Sequence, residues 1–391
     1  MRIVVACTDL GVRVPGDKGA SLHLTSITKA LAEAGHDVLL VGVAGHGAPP
    51  TEARTILLPH PGRSTGLRRE VNKLRFVQGF CGAVGTEVAA FKPDIIYERL
   101  SLFGTAGIEL SQRTGAQHVV EVNALLAQEE ARWRGLRLAM RASRDEAAVL
   151  AHADLRVAVS TEHAVSVDAV CGGRTIVVPN GVETSRFRDL PDRLEARRHL
   201  GLPNDARLVG FVGALRPWHG VNLALEALAL LPHVVHLVVA GDGPIRNELV
   251  ALADQLGVTD RVHWLGQVGH ADIPTVLAAC DAATAPYPDL SDFAFSPLKL
   301  YEYLAAGLPV VASAIGQIPD VLGHGAFGML TRPGNVRDLA AALWITLSQP
   351  QRYQAAAQSA RMHTLTHHSW RQRADTIVAA AKERDRHAVA A

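Results

Sequence analysis

A chain of 391 residues, 48% hydrophobic and 20% charged, is globular in composition and too long for one core, so two or three domains are expected. A formal net charge of +1 excludes the strongly basic class of nucleic-acid binders, and no apolar run approaches the length of a membrane span. The four cysteines (Cys7, Cys81, Cys171, Cys280) lie scattered without metal-ligand spacing and read as reduced core residues of a cytoplasmic protein; the chain enters a strand at once, with no signal-peptide pattern.

Short β-branched runs alternate with helical segments from the start. Strands are predicted at 3–7, 37–43, 55–58, 94–97, 118–122, 155–159 and 175–178, and helices at 21–34, 67–91, 103–113 and 129–152. A second series of strands follows at 208–212, 235–240, 262–265, 282–285 and 310–312, each trailed by a helix-like stretch. Such alternation implies parallel strands with helices on both faces, in two Rossmann-like doubly wound domains that face an interdomain cleft. The turn chemistry of Asn180-Gly181 and the charged run 188–198 mark the boundary, giving domains 1–186 and 187–365 and a C-terminal helix at 366–391. By its own residues, that helix favours neither domain.

In the first domain the loop 15–21 carries Gly16 and Gly19, which permit close approach to a ligand, Asp17, a candidate contact for acceptor or sugar, and Ser21, a candidate N-cap. It has neither a P-loop ending nor a dinucleotide fingerprint, and its position suits a roof over donor phosphates. Glu98, Glu121 and Asn123 end two strands, where they either contact sugar hydroxyls or acceptor or, for the two acids, form structural ion pairs. The segments 63–75 and 132–144 are locally basic. A solvated face is favoured for them over contact with anionic lipid or a phosphorylated acceptor, because acids are interleaved.

The second domain opens with Gly210–Gly220, where Gly213 allows close backbone approach and Arg216 is placed to grip a diphosphate, with His219 at the start of the next helix. Gly241 and Gly243 form a second strand-end turn, able to bring backbone groups near a base or simply to turn the chain. Most informative is the stretch 295–313. Phe295, Ser296, Pro297 and Leu298 lead into a helix N-terminus, whose unpaired N–H groups favour an anion. Lys299 adds a cation there, and Glu302 follows one turn later as an acceptor for a ribose diol; the alternative is a capped helix with a surface Lys–Glu pair. The chain contains no Asp-x-Asp pair to clamp a metal on a diphosphate, and no metal or other cofactor is expected.

With these residues assembled, the chain resembles glycosyltransferase family 4, the retaining enzymes of GT-B fold, most clearly at 295–313 and also at 16–34, 178–187, 211–220 and 239–249. The resemblance implies two Rossmann-like domains, a nucleotide-sugar donor held mainly by the second, and a terminal helix that crosses back to the first. It also implies a front-face reaction in which the leaving phosphate takes the acceptor proton, so that no protein base is needed. Four positions depart from the family pattern. Ala294 stands where the first Glu of Glu-x7-Glu is usual, Ala214 and His219 stand where an Arg and a Lys are usual, and Asn123 stands where many members have His. Arg216 and Lys299 are therefore expected to take over diphosphate neutralisation, with an acceptor that the sequence does not identify. A GT-B nucleotide-sugar 2-epimerase and a non-catalytic nucleotide-sugar binder are the rival readings. The first lacks its acid–base set in these motifs, and the second sits poorly with Lys299, Glu302 and Arg216 all present. The expected location is cytoplasmic, with the basic segments as the candidates for contact at the inner membrane face.

Overall fold

The computed structural model describes residues 1–16, 18–290, 293 and 296–389, without the side chains of 133, 134 and 385–389. The expected contacts of Asp17 and Phe295, and the substitution at Ala294, fall outside the described residues. The chain forms two compact units, one of Met1–Asn180 with Trp370–Ala391 and one of Gly181–Ser369.

The first unit runs β1 (Arg2–Ala6), β2 (Arg13–Val14), α1 (Gly19–Glu33), β3 (Asp37–Ala44), β4 (Arg54–Leu58), α2 (Gly66–Phe91), β5 (Ile95–Arg99), α3 (Ala106–Thr114), β6 (Gln117–Val122), α4 (Leu126–Arg134), α5 (Ala139–His152), β7 (Leu155–Ala158), α6 (Thr161–Cys171) and β8 (Ile176–Val177). Its parallel sheet has the order β2-β3-β1-β5-β6-β7-β8, with β4 also on β3. Ile3 to Ala6, Val38 to Val41 and Val119 to Val122 are buried almost throughout, as a sheet covered on both faces requires.

Two expected helices are altered for local reasons. The single helix expected over 129–152 is broken at Gly135, which adopts φ 63°, and Glu70 of α2 accepts the N–H groups of Arg137 and Leu138 at 3.1 and 2.8 Å. Phe103 has φ 63° and Gly104 N–H closes a turn on Ser101, so α3 starts at Ala106 rather than at 103.

The second unit runs α7 (Arg193–Leu200), β9 (Arg207–Val212), α8 (Val221–Ala229), β10 (Val235–Ala240), α9 (Arg246–Gln255), β11 (Val262–Gly266), α10 (Ile273–Ala278), β12 (Ala282–Ala285), α11 (Leu298–Ala305), β13 (Val310–Ser313), α12 (Ile318–Val321), β14 (Met329–Thr331), α13 (Val336–Ser348) and α14 (Pro350–His367). Its sheet is parallel, in the order β11-β10-β9-β12-β13-β14. The charged run expected as a linker is largely α7. Asp192 caps its N-terminus, and the buried Arg197 guanidinium donates to the carbonyls of Ala279, Asn204 and Ala206 and pairs with Asp281 at 2.6 Å. The first unit ends at Asn180 rather than at 186, because Val182 is buried in the second core.

The last helix, α15 (Trp370–Val389), belongs to the first unit. Ala374, Ile377, Val378 and Ala381 are its buried stripe. Trp370 meets His23 of α1 edge-on at 4.8 Å, and Arg371 donates to the Glu33 carbonyl at 2.7 Å. Cys7, Cys81 and Cys280 are buried, Cys171 is half-buried, and all four are free thiols.

Candidate functional site

In the second unit, three strand ends and one helix N-terminus converge. Val212, the last residue of β9, donates its N–H to the Tyr303 hydroxyl of α11 at 2.8 Å, which draws α11 against the loop that follows β9. Gly213 has φ 143°, and a Cβ there would stand 2.9 Å from the Lys299 amine. Glycine is required at 213 by its backbone conformation and by the space Lys299 occupies.

The Lys299 amine is buried and has no hydrogen-bond partner among the described residues. It lies over the Phe211 ring at 4.1 Å and near Tyr287 at 5.6 Å. Burial pushes its pKa down to about 7, against the opposing pull of Glu302. A buried amine with this environment is an incomplete arrangement that an incoming anion would complete. The helix it opens has Pro297 at its N-cap and no side-chain cap, so the Leu298 and Lys299 N–H groups point the same partial charge at the same place. Ser296 is buried beside them.

His219 stands at the other side of the loop. Its Nδ1 lies 2.5 Å from the Ala214 carbonyl, which makes Nδ1 the protonated nitrogen and leaves Nε2 as an acceptor. Burial, with Lys299 and Arg216 nearby, holds it down to about 3, so it is neutral at physiological pH. Arg216 is half-buried, forms no ion pair among the described residues, and rests over Trp218 at 5.7 Å. The two cations therefore bear on one small region.

Glu302 is already engaged. Its Oε1 is 2.9 Å from His270 Nε2 and 3.8 Å from the Arg186 guanidinium, which itself lies against the His270 ring. Both contacts use Oε1, so Oε2 retains the acceptor capacity a diol needs. Arg186 and His270 escaped sequence reasoning: Arg186 lies in the 3-10 helix Thr184–Phe187 and His270 in a turn. Arg186 lies within the segment 178–187, and His270 follows the carboxyl end of β11.

Gly241 and Gly243 have internal work. A Cβ at Gly241 would lie 1.9 Å from the Gly213 carbonyl oxygen, and one at Gly243 would lie 2.2 Å from that of Leu215. Their N–H groups are taken by Gly266 and the Asp242 side chain at 2.7 Å each. They let the loop after β10 pack under the Gly213 loop, and their N–H groups are not free for a ligand.

In the first unit, Glu98 is internal rather than presented to a ligand: its carboxylate accepts from His118 Nε2 at 3.0 Å and from Gly107 N–H at 3.2 Å, and is 1% exposed. Glu121 is likewise buried, with His23 at 2.6 Å and Arg99 at 3.5 Å; His23 Nδ1 reaches the Asn180 side chain at 2.7 Å. Burial by itself would raise the Glu121 pKa, but His23 and Arg99 outweigh it and hold it at about 2. His23, buried on α1, was not legible in the sequence. A Cβ at Gly16 would press on the Arg13 carbonyl and Ser21, so this glycine serves its own turn. Gly19 opens α1, and Lys18 rather than Ser21 is the N-cap; the Ser21 hydroxyl instead accepts Arg13 N–H at 3.2 Å. Asn123 Nδ2 after β6 and Thr8 Oγ1 after β1 are buried polar atoms without a partner among the described residues, at strand carboxyl ends where ligands bind open sheets. Among the described residues, no three His, Cys, Asp or Glu side chains converge to hold a metal ion.

Two sequence families match the chain: glycosyltransferase family 4 over residues 18–186 and glycosyl transferases group 1 over 192–363. The D-inositol 3-phosphate glycosyltransferase of Mycobacterium tuberculosis H37Rv is 34% identical over 223 residues, which cover 55% of this chain and 45% of that protein. The match thus spans less than half the length of that relative. Among solved structures, sucrose-phosphate synthase from Thermosynechococcus elongatus superposes with a TM-score of 0.79 at 21% identity, covering 98% of each chain. Anabaena HepE, solved in complex with UDP, superposes with a TM-score of 0.75 at 22% identity, covering 98% of this chain and 100% of that one.

Proposed function

The chain belongs to glycosyltransferase family 4 and has the GT-B fold, and from that premise we propose that it moves a sugar from a nucleoside diphosphate to an acceptor hydroxyl, with retention and without a metal ion. One observation carries this reading: the buried, unpartnered Lys299 amine at an uncapped helix N-terminus, with Arg216 nearby, is a place made for a diphosphate. In the reaction the bond from the anomeric carbon to the β-phosphate oxygen breaks. The acceptor oxygen bonds to the same face of that carbon, and its proton passes to the departing phosphate. Lys299 and Arg216 stabilise the negative charge that develops there, and Glu302 Oε2 accepts from the ribose diol. Within the first unit, Asn123 and Thr8 are the candidates for binding an acceptor.

HepE is described as binding UDP and UDP-glucose, which makes uridine diphosphate sugars the first donors to try, with guanosine diphosphate sugars next. A bound nucleoside diphosphate at a hundred times its dissociation constant should add about 2.7 kcal/mol of stability. The decisive assay follows diphosphate release from a panel of donors in the presence and absence of sugar, cyclitol and lipid-linked acceptors. Acceptor-dependent release in chelator, with the anomeric configuration kept in the product, is the expected result. Interconversion of the donor without release would mean a 2-epimerase, and turnover lost in chelator and restored by a divalent ion would mean a metal clamp.

Glu302→Ala is expected to weaken binding of the free nucleoside diphosphate by about 10- to 100-fold, the value of a hydrogen bond to a charged group. Titration calorimetry reads this directly. Unchanged affinity would remove Glu302 from the ribose.

A further inference from the structure

The carboxyl ends of β6 and β7 lie side by side, because the two strands pair in parallel and the Val159 N–H reaches the Val122 carbonyl at 3.3 Å. The chain then turns into α6, where the Ser160 hydroxyl accepts the His163 N–H at 3.1 Å and caps the helix. His163 thus stands in the first turn of α6, and its ring meets the backbone carbonyl of Asn123, the residue that follows β6. The segment after Asn123 is anchored in turn: Leu125 is buried, and the Glu146 carboxylate accepts the Ala127 N–H at 3.2 Å at the start of α4. His163 is 8% exposed, and its Nε2 has no hydrogen-bond partner among the described residues; the same holds for the Asn123 amide nitrogen. Two neighbouring residues therefore each keep one buried polar atom unsatisfied, at strand ends where open sheets bind ligands. Burial holds the His163 pKa below its ordinary 6.5, against the opposing Asn123 carbonyl, so the ring is neutral at physiological pH. The carbonyl claims the Nδ1 proton, and Nε2 is left as an acceptor beside the donor amide of Asn123.

We propose that Asn123 and His163 together hold one hydroxyl of a neutral, polyhydroxylated acceptor, the amide donating to its oxygen and Nε2 accepting its proton. A hydroxyl both accepts and donates, so one such group satisfies both atoms at once. A phosphate or carboxylate has no proton for Nε2, and its charge would be buried against a neutral ring and an amide. The hydroxyl held here is not the reacting one, because the proton of the reacting hydroxyl passes to the departing phosphate. The acceptor then carries more than one hydroxyl, as a sugar or another polyol does, and His163 is a specificity-determining residue that orients it. This inference rests on the sugar-transfer reading for the fate of the ligand, whereas the hydroxyl site itself rests on the two unsatisfied atoms.

Two measurements on the full chain test it. In the first, ring-nitrogen NMR with isotope-labelled histidine follows His163, identified by the signal lost in His163→Gln. The neutral Nδ1–H tautomer is expected in the free protein. Methyl α-glucopyranoside or glycerol should shift Nε2 in the direction of an accepted hydrogen bond, and inorganic phosphate should not. In the second, acceptors active in the release assay are compared with their deoxy analogues. His163→Leu should raise KM for the hydroxylated acceptor by about 5- to 50-fold, with a smaller change in kcat and an unchanged Kd for the nucleoside diphosphate. His163→Gln, whose amide oxygen can accept, should recover most of that loss, and it keeps the test open if circular dichroism shows His163→Leu to be unfolded. The deoxy analogue lacking the hydroxyl in question should be used equally by wild type and His163→Leu. An Nε2 signal unmoved by either polyol would mean an ordered water only and would overturn the proposal, as would an unchanged KM in folded His163→Leu. Protonation of both ring nitrogens on adding phosphate would reassign the pair to an anion. Loss of the sugar-transfer reading would look different: wild type would release no diphosphate with any acceptor, while the polyol shift at Nε2 persisted.

Discussion

Lys299→Ala is expected to lower turnover about a hundredfold or more, with a smaller change in KM, because the charge on the leaving diphosphate grows most in the transition state. Arg216→Ala should lose activity on the same scale. The environment of Lys299 adds a second signature. Burial brings its pKa down to about 7, so above that pH the free protein holds a neutral amine. A diphosphate favours the ammonium form, and affinity for a nucleoside diphosphate should therefore fall as pH rises from about 7 upward, by up to about tenfold per unit. The second ionisation of a phosphate lies near 6 and is largely complete there, so the ligand contributes little to that slope. Lys299→Met should bind weakly and flatly over the same range. Near-normal turnover in Lys299→Ala, or wild-type affinity that does not change between pH 7 and pH 9, would take this residue out of the mechanism.

Glu121→Ala is expected to destabilise the first unit by about 3–5 kcal/mol, read as a shift in its denaturant midpoint. The carboxylate is buried between His23 and Arg99, and removing it leaves the Arg99 guanidinium, itself 9% exposed, without that partner. The acid dependence gives the sign. Glu121 titrates at about 2 in the folded chain against an ordinary 4.5, so its contribution is fully present above about 4.5. It is lost as pH falls from there toward about 2, and the variant should lack that part of the acid limb. A midpoint shift worth less than about 1 kcal/mol would mean that Arg99 finds water or another partner once Glu121 is gone.

The two wound sheets were legible because their signals are local. Runs such as Ile3–Ala6 and Val235–Ala240 are apolar and β-branched over the length of one strand, and Gly or Asn punctuates them. The helix expected over 129–152 shows the limit of such reading. Gly135 alone is tolerable in a helix, and only the distant Glu70, accepting two N–H groups, makes the break the better arrangement. The acids at 98 and 121 show a related limit. A carboxylate at a strand end looks the same in sequence whether it faces ligand or interior, and His118 and His23, on other elements, decide it.

The sequence by itself determined the alternation of strands and helices, the glycine-rich turns at strand ends and the cation at the start of α11, since each depends on neighbours within a few residues. Only the tertiary structure decided that Gly213 makes room for Lys299, that Arg186 and His270 hold one oxygen of Glu302, that α15 packs on the first unit, and that the acids of the basic segments turn inward. Those outcomes depend on strand order, which sets β12 between β9 and β13 although β10 and β11 come between β9 and β12 in the chain, and on which groups compete for burial once the sheets are assembled. Local periodicity says which face of an element is apolar, but a contact between residues far apart in the chain is set by the packing of whole elements.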